Sequence, residues 1–337
     1  MFVDLFDIKN VFVQNKIGNE WEKSTYNNGK YGTDDTQIYA DKNNRLYICS
    51  IKEAPARIKF EWNTKLSGKA LILNDHWERS YGDIGWSHIN TDKILPWYFA
   101  INQDNSTQFI GVMTQPNAFI HWQCTFDKIS MIADLRCGGN NTILGGRTVE
   151  ICKIVTFFED ADPFDGLSHF CSLMCQNPKM PLKPVYGGND WYCSYGNNSH
   201  DRILLQAQRI SECAGTTENR PYMVIDDGWQ IAHGACVGFN GGPWRYCNSK
   251  LGDMQRTAQD IKSVGAIPGL WFRPLQTCEY MPKECYIERT ISNNRLLRSL
   301  DPTHPTVKKY IVSEIQNMVN NGYKLLKHDY SSWDISG

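Results

Sequence analysis

The sequence has almost no net charge, no long apolar run, and none of the short motifs that mark nucleotide, zinc-protease or serine-hydrolase chemistry. Its 35 Lys and Arg balance 36 Asp and Glu, for a formal net charge of −1 over 337 residues. That leaves no electrostatic case for nucleic acid or an anionic membrane surface as a partner. No stretch approaches the run of about 20 apolar residues that a membrane span needs. The N-terminus, Met1-Phe2-Val3-Asp4-Leu5-Phe6-Asp7, carries acidic residues and no basic-then-apolar run, so it does not read as a signal peptide. The expected location is cytoplasmic.

The P-loop pattern G-x-x-x-x-G-K-S/T, the zinc helix H-E-x-x-H and the nucleophile elbow G-x-S-x-G are all missing. The glycine-rich run from Gly234 to Gly242 lacks the spacing of a dinucleotide fingerprint. Cysteine is plentiful, 12 in all, but scattered from Cys49 to Cys285. Without a secretion signal, reduced thiols are expected rather than a disulfide framework. Cys171-x-x-x-Cys175 near His169 hints at a metal, yet no second ligand pair stands at zinc-finger spacing. No metal and no cofactor is therefore expected. Asn105-Ser106-Thr107, Asn140-Asn141-Thr142 and Asn197-Asn198-Ser199 fit the glycosylation pattern, which has no consequence inside the cell.

What is present bounds the fold. With 41% hydrophobic residues the chain can bury a sizeable core, and its length suits two domains. Residues 1–184 have a β texture: short runs rich in Val, Ile, Phe, Tyr and Thr between Asn, Gly and Asp clusters. Examples are Arg45 to Ser50, Arg57 to Trp62, Trp97 to Asn102, Gln108 to Thr114 and Thr148 to Phe158. Turn signals include Asn27-Asn28-Gly29, Ser67-Gly68 and Gly138-Gly139-Asn140-Asn141. Many short strands at near-regular spacing predict an antiparallel β-sandwich. An acidic, Pro- and Gly-punctuated break follows at Asp160 to Gly166. A helical stretch from Leu167 to Cys175 then leads to Pro178, Pro181 and Pro184, a stiff linker.

Residues 185–337 repeat another unit: an apolar strand, a polar cluster at its C-terminal end, then a helix. Asn189 to Gly196 precedes a helix over Ser199 to Ala214, with Ile203, Ala207, Ile210 and Ala214 at helical spacing. Pro221 to Ile225 ends in Asp226-Asp227-Gly228-Trp229-Gln230 and leads to a helix over Asp253 to Val264. Ala266 to Leu270 ends in Trp271-Phe272-Arg273-Pro274. A helix over Thr306 to Asn321 stops at Asn321-Gly322, and the strand after it ends in Lys327-His328-Asp329-Tyr330. Alternation along a strand puts Lys327 and Asp329 on one face and His328 on the other. A lysine there favours the ionised carboxylate. Such units predict a parallel α/β architecture with its chemistry at the strand C-termini, the layout of a (β/α)8 barrel.

These clusters carry a resemblance. Asp226-Asp227-Gly228-Trp229, Gly269-Leu270-Trp271, Leu300-Asp301-Pro302 and Lys327-x-Asp329, with Trp244, Asn248 and Asp253-Met254 in order between them, make residues 189–337 look like the first half of the catalytic barrel of the α-galactosidase clan. The likeness is to the melibiases of glycoside hydrolase family 36, which also carry a β-sandwich before the barrel. It implies a retaining α-glycosidase acting on α-galactosides, with no nucleic acid or membrane partner and homo-oligomerisation left open. Asp329 matches the family nucleophile, and Lys327 beside it matches a hydrogen-bond donor to a sugar hydroxyl. Asp226 and Asp227 match the pair that accepts from hydroxyls on the far side of galactose; the alternative for them is an Asp-stabilised turn. Trp229 and Trp271 are expected either to wall the pocket or simply to pack.

Two residues depart from the family. His328 stands where an aromatic is common, and Arg273 where a carboxylate is common, which leaves open an anionic group on the substrate. The family acid/base follows the sixth barrel strand. Here the fourth strand is the last, so the acid/base is expected outside this chain; Asp334 is the only carboxylate after Asp329, on the same loop. The expectation is thus an α-galactosidase chain lacking its acid/base half. The alternative is a non-catalytic sugar-binding protein or an inactive fragment. One dense stretch in the sandwich, Asp75 to Trp86, reads either as an ion pair of Glu78 and Arg79 packed on tryptophans or as a loop that closes the sugar site.

Overall fold

The computed structural model of the chain describes residues 1–16, 18–77, 82–136, 143–160, 163–231, 233, 240–291 and 295–335. Glu78 and Arg79, the turn at Gly138 to Asn141, and most of the glycine-rich run from Gly234 lie outside the described residues. The chain divides into two compact units, Met1–Pro178 and Lys179–Gly337. The division comes six residues before the expected boundary at 184. Among the described residues no helix is long and apolar enough to cross a membrane.

The first unit is built from two antiparallel sheets. Six strands form one, in the order Leu95–Pro96, Phe119–Cys124, Lys128–Asp134, Arg57–Asn63, Asn10–Gln14, Glu22–Lys23. Nine form the other; at its centre Arg45–Ser50, Thr148–Glu159, Ser106–Val112 and Tyr98–Gln103 pair in sequence. Alternation sets the two faces of this larger sheet. Ile72, Phe99, Ile101 and Ile110 join Phe60, Trp62, Trp122 and Met131 of the smaller sheet in one core. Leu73, Ala100 and Phe109 point the other way, under the helix Pro163–Met174 through Phe170 and Met174. That helix sits close because two glycines leave room. A Cβ on Gly166 would stand 2.7 Å from the Phe109 ring, and one on Gly111 would stand 3.2 Å from Phe170 Cζ and Met174 Sδ.

The second unit contains a four-stranded parallel sheet ordered as in the sequence: Gly187–Asn189, Tyr222–Ile225, Ile267–Phe272, Leu325–His328. Helices His200–Ala214, Met254–Ser263 and Pro305–Asn320 connect them. Each helix buries a stripe at helical spacing, such as Ile203, Ala207 and Ser211 in the first. Asp253 caps the second, its carboxylate accepting from Arg256 N at 2.6 Å. Proline opens the third, where His304 Nδ1 accepts from Thr306 N at 3.2 Å. Helix stripes and strands meet in a core that includes Met223, Ile225, Ile261, Leu270, Met318 and the tryptophans 229, 244 and 271.

Two elements differ from expectation. The first strand is Gly187–Asn189, not Asn189 to Gly196; the chain turns at once into a short helix, Trp191–Ser194. The strand escapes a propensity reading because two of its three residues are glycine. They are there for close approach: a Cβ on Gly187 would meet Tyr222 O at 1.9 Å, and one on Gly188 would meet Ile210 Cδ1 at 2.3 Å. The second difference is an antiparallel hairpin, Tyr286–Ile291 with Arg295–Leu300, between the third parallel strand and its helix. Its charged residues Glu288, Arg289, Arg295 and Arg298 interrupt the apolar alternation that would have marked it.

Candidate active site

Parallel pairing lines up the C-terminal ends of the four strands along one edge of the sheet. From the first come Asn189 and Asp190, from the second Asp226 and Asp227, from the third Arg273, and from the fourth Lys327 and Asp329. The turn Asp226-Asp227-Gly228 can form only with glycine at its third position. Gly228 has φ of +112°, and a Cβ there would stand 2.3 Å from Gly196 O. Asn248 holds the far side of this turn, donating to Gly228 O at 2.6 Å.

Lys327 sits between two carboxylates. Its Nζ is 2.7 Å from Asp226 Oδ2 and 3.7 Å from Asp329 Oδ2. Burial works against the ammonium, but the bonds to Asp226 and Asp329 outweigh it and raise the lysine pKa. Asp226 also accepts from Asn189 Nδ2 at 2.5 Å and, through Oδ1, from Asp227 N at 2.9 Å. Asp329 is held by Trp271 Nε1 on Oδ2 at 2.8 Å and Tyr330 N on Oδ1 at 2.9 Å. With its side chain 35% exposed, this carboxylate is oriented yet reachable.

Asp227 is almost fully buried and braced on both oxygens. Gln230 Nε2 donates to Oδ1 at 2.6 Å, and Asn240 Nδ2 donates to Oδ2 at 3.0 Å. Behind Asp226 stands Asp190, fully buried. Its Oδ1 accepts from Asp226 N at 2.7 Å. Burial raises the pKa of this carboxyl, with the neighbouring charge of Asp226 adding to the rise, against the hydrogen bonds it accepts.

The structure links six of the seven expected site residues at the C-terminal edge of the sheet, directly or through Asn240: Asp226, Asp227, Trp271, Arg273, Lys327 and Asp329. The seventh, Trp229, is fully buried; its Nε1 donates to Trp271 O at 2.8 Å, and its ring lies 6.0 Å from Trp244. Trp271 is 1% exposed. Neither ring therefore presents an open face for a sugar to stack on; both pack against Trp244, at 6.0 and 5.6 Å between ring centres. Arg273 is buried as well and paired with Asp334, which is itself fully buried. His328 points to the other side of its strand, against the Phe272 ring at 5.7 Å and Ser331. Burial holds its imidazole below the ordinary histidine value, against the pull of Asp329 and Asp334.

Sequence reasoning missed Asn189, Asp190, Gln230 and Asn240. The polar pair closing the first strand was a signal for two of them, hidden by the misplaced strand. Nothing in the sequence pointed to Asn240. Among the described residues, no group of three His, Cys, Asp or Glu side chains stands where it could hold a metal ion.

No protein-family model and no curated protein sequence matches this chain. Solved structures match its fold. TtGalA, an α-galactosidase from Thermus thermophilus in complex with p-nitrophenyl α-D-galactopyranoside, superposes with a TM-score of 0.54 at 14% identity, over 88% of this chain and 61% of that one. AgaA, a GH36 α-galactosidase from Geobacillus stearothermophilus, gives 0.54 at 14%, over 87% and 46%. An α-galactosidase from Lactobacillus brevis gives 0.54 at 13%, over 97% and 50%. The chain is thus similar in fold to family 36 α-galactosidases and spans between 46% and 61% of the length of these three.

Proposed function

We propose that this chain carries the nucleophile side of a retaining α-glycosidase site for α-galactosides, its four parallel strands being part of a (β/α)8 barrel. The observation that carries the reading is Lys327 set between Asp226 and Asp329 at the C-terminal edge of the sheet. Solved structures of the same fold hold stachyose and raffinose, both galactosides, in complexes with α-galactosidases. In this reading an Asp329 oxygen forms a bond to the anomeric carbon as the glycosidic bond breaks. Its electron pair leaves on the aglycone oxygen, which takes a proton from a separate acid. Trp271 and Lys327 keep the attacking carboxylate aimed. Asp226 and Asp227 accept from sugar hydroxyls, and such buried acceptors reject a wrong epimer more strongly than apolar packing does. Asp334 is not taken as the acid, since it is fully buried and both of its oxygens are engaged by Arg273.

α-Galactosyl fluoride tests this, because fluoride leaves with its electron pair and needs little help from an acid. Rapidly quenched protein should carry one hexosyl unit esterified to Asp329 in peptide mass spectra, and Asp329→Asn should carry none. An ester on another residue, or one that survives Asp329→Asn, refutes the assignment. Galactose binding with no ester at all would leave the chain a sugar-binding protein.

A further inference from the structure

Arg273 ends the third parallel strand, buried to 6% exposure. Its Nε lies 2.9 Å from Asp334 Oδ2, and its Nη2 lies 2.5 Å from Asp334 Oδ1, a two-pronged pair. Tyr330 covers the guanidinium, with the charge centre 4.4 Å from its ring. The third nitrogen, Nη1, donates to Asn240 Oδ1 at 2.6 Å. Asn240 then donates to Asp227 Oδ2 at 3.0 Å.

This line decides the orientation of an amide. A guanidinium has only donors, so Asn240 must turn its oxygen to Arg273 and its NH₂ to Asp227. A lysine could supply the charge but not the fixed fork that reaches Asp334 and Asn240 together. The charge of Arg273 is already balanced by Asp334, in a setting where neither is exposed to water. An anionic substrate group would have to displace Tyr330 or Asn240 to reach it.

We propose that Arg273 and Asp334 form a positioning pair for Asp227, acting through Asn240. The site therefore takes an uncharged hexose and not a uronate. This rests on the reading of Asp227 as an acceptor for galactose hydroxyls. Arg273 touches no substrate here; it sets the angle at which Asp227 meets the hydroxyl that distinguishes galactose from its epimer.

The test is calorimetry on the full chain with free galactose, glucose and galacturonate. The unmodified protein should prefer galactose to both. Asn240→Ala should lower that preference over glucose about tenfold, the size expected for losing a hydrogen bond to a charged group. Glucose affinity should hardly change. Arg273→Lys should behave like Asn240→Ala; should it fail to fold, Asn240→Ala alone decides. A parallel loss for both sugars, or an unchanged preference, overturns the relay while leaving the galactoside site in place. Tighter binding of galacturonate than galactose overturns the uncharged-sugar assignment. A chain that binds none of the three sugars overturns the galactoside reading itself, and the relay with it.

Discussion

The indole N–H of Trp271 donates to Asp329 Oδ2 at 2.8 Å, from a ring that is 1% exposed. A tryptophan that could have been a stacking platform is instead a fixed donor beneath the carboxylate. Its ring is held in place by burial and by Trp244, which lies edge-on at 5.6 Å. Such a bond to an ion contributes about 1.5–3 kcal/mol. Trp271→Phe keeps most of the packing and removes the donor. Ester formation from α-galactosyl fluoride should then slow about tenfold or more, with galactose affinity changed much less. Equal loss of binding and of ester formation would show that Trp271 only shapes the pocket.

Lys327 makes a prediction about pH. Its pKa is raised from the ordinary 10.5, so what its charge contributes is fully present below 10.5 and lost as pH rises through the higher folded value. Galactose affinity should therefore stay level on the alkaline side of neutrality up to 10.5. Calorimetry across that range checks it. A fall centred well below 10.5 would mean that some other group controls binding.

Gly228→Ala should be costly. The φ of +112° is strained for any side chain, and the new Cβ would meet backbone at Gly196, which cannot rotate away. A loss of roughly 2–3 kcal/mol is expected, readable as a lower urea midpoint. Gly252→Ala is the control: its φ is +78°, but nothing stands within 4 Å of the added Cβ. It should cost about 1 kcal/mol from backbone strain alone. Similar losses in the two variants would show that the contact with Gly196 contributes nothing.

Asp190 predicts a stabilising substitution. Its folded pKa is raised above the unfolded value of 3.8, so the stability linked to its proton is complete below 3.8 and lost as pH rises through the folded value. Burial and the neighbouring Asp226 both disfavour its charged form, so that contribution is reduced once the pH is above the folded value. Asn keeps an oxygen to accept from Asp226 N and removes the charge. Asp190→Asn should unfold at higher temperature than the parent at pH 7, with the gain shrinking as pH falls toward 3.8. A lower melting temperature at neutral pH would show that the ionised form is needed.

Much of the second unit was legible because its parts obey local rules. Helix stripes repeat at 3.6 residues, Asp253 and Gly322 stand where caps and stops belong, and an apolar run followed by a polar cluster is a parallel strand with its working end exposed. The pair Lys327 and Asp329 follows from alternation along one strand. The strand Gly187–Asn189 was misplaced because its sheet position is set by what the glycines lack, which only the neighbouring Tyr222 and Ile210 make necessary.

Composition and spacing by themselves determined the β texture of the first part, the strand–helix order of the second, and the carboxylates that end its second and fourth strands. Only the tertiary structure decided that Arg273 is neutralised by Asp334, 61 residues further along the chain, and linked through Asn240 to Asp227. It likewise decided that Trp229 and Trp271 are buried. The physical reason is one of range. Periodicity, capping and backbone strain act within a few residues and leave their mark on the local sequence. Ion pairing and burial depend on which distant segments the parallel sheet sets side by side.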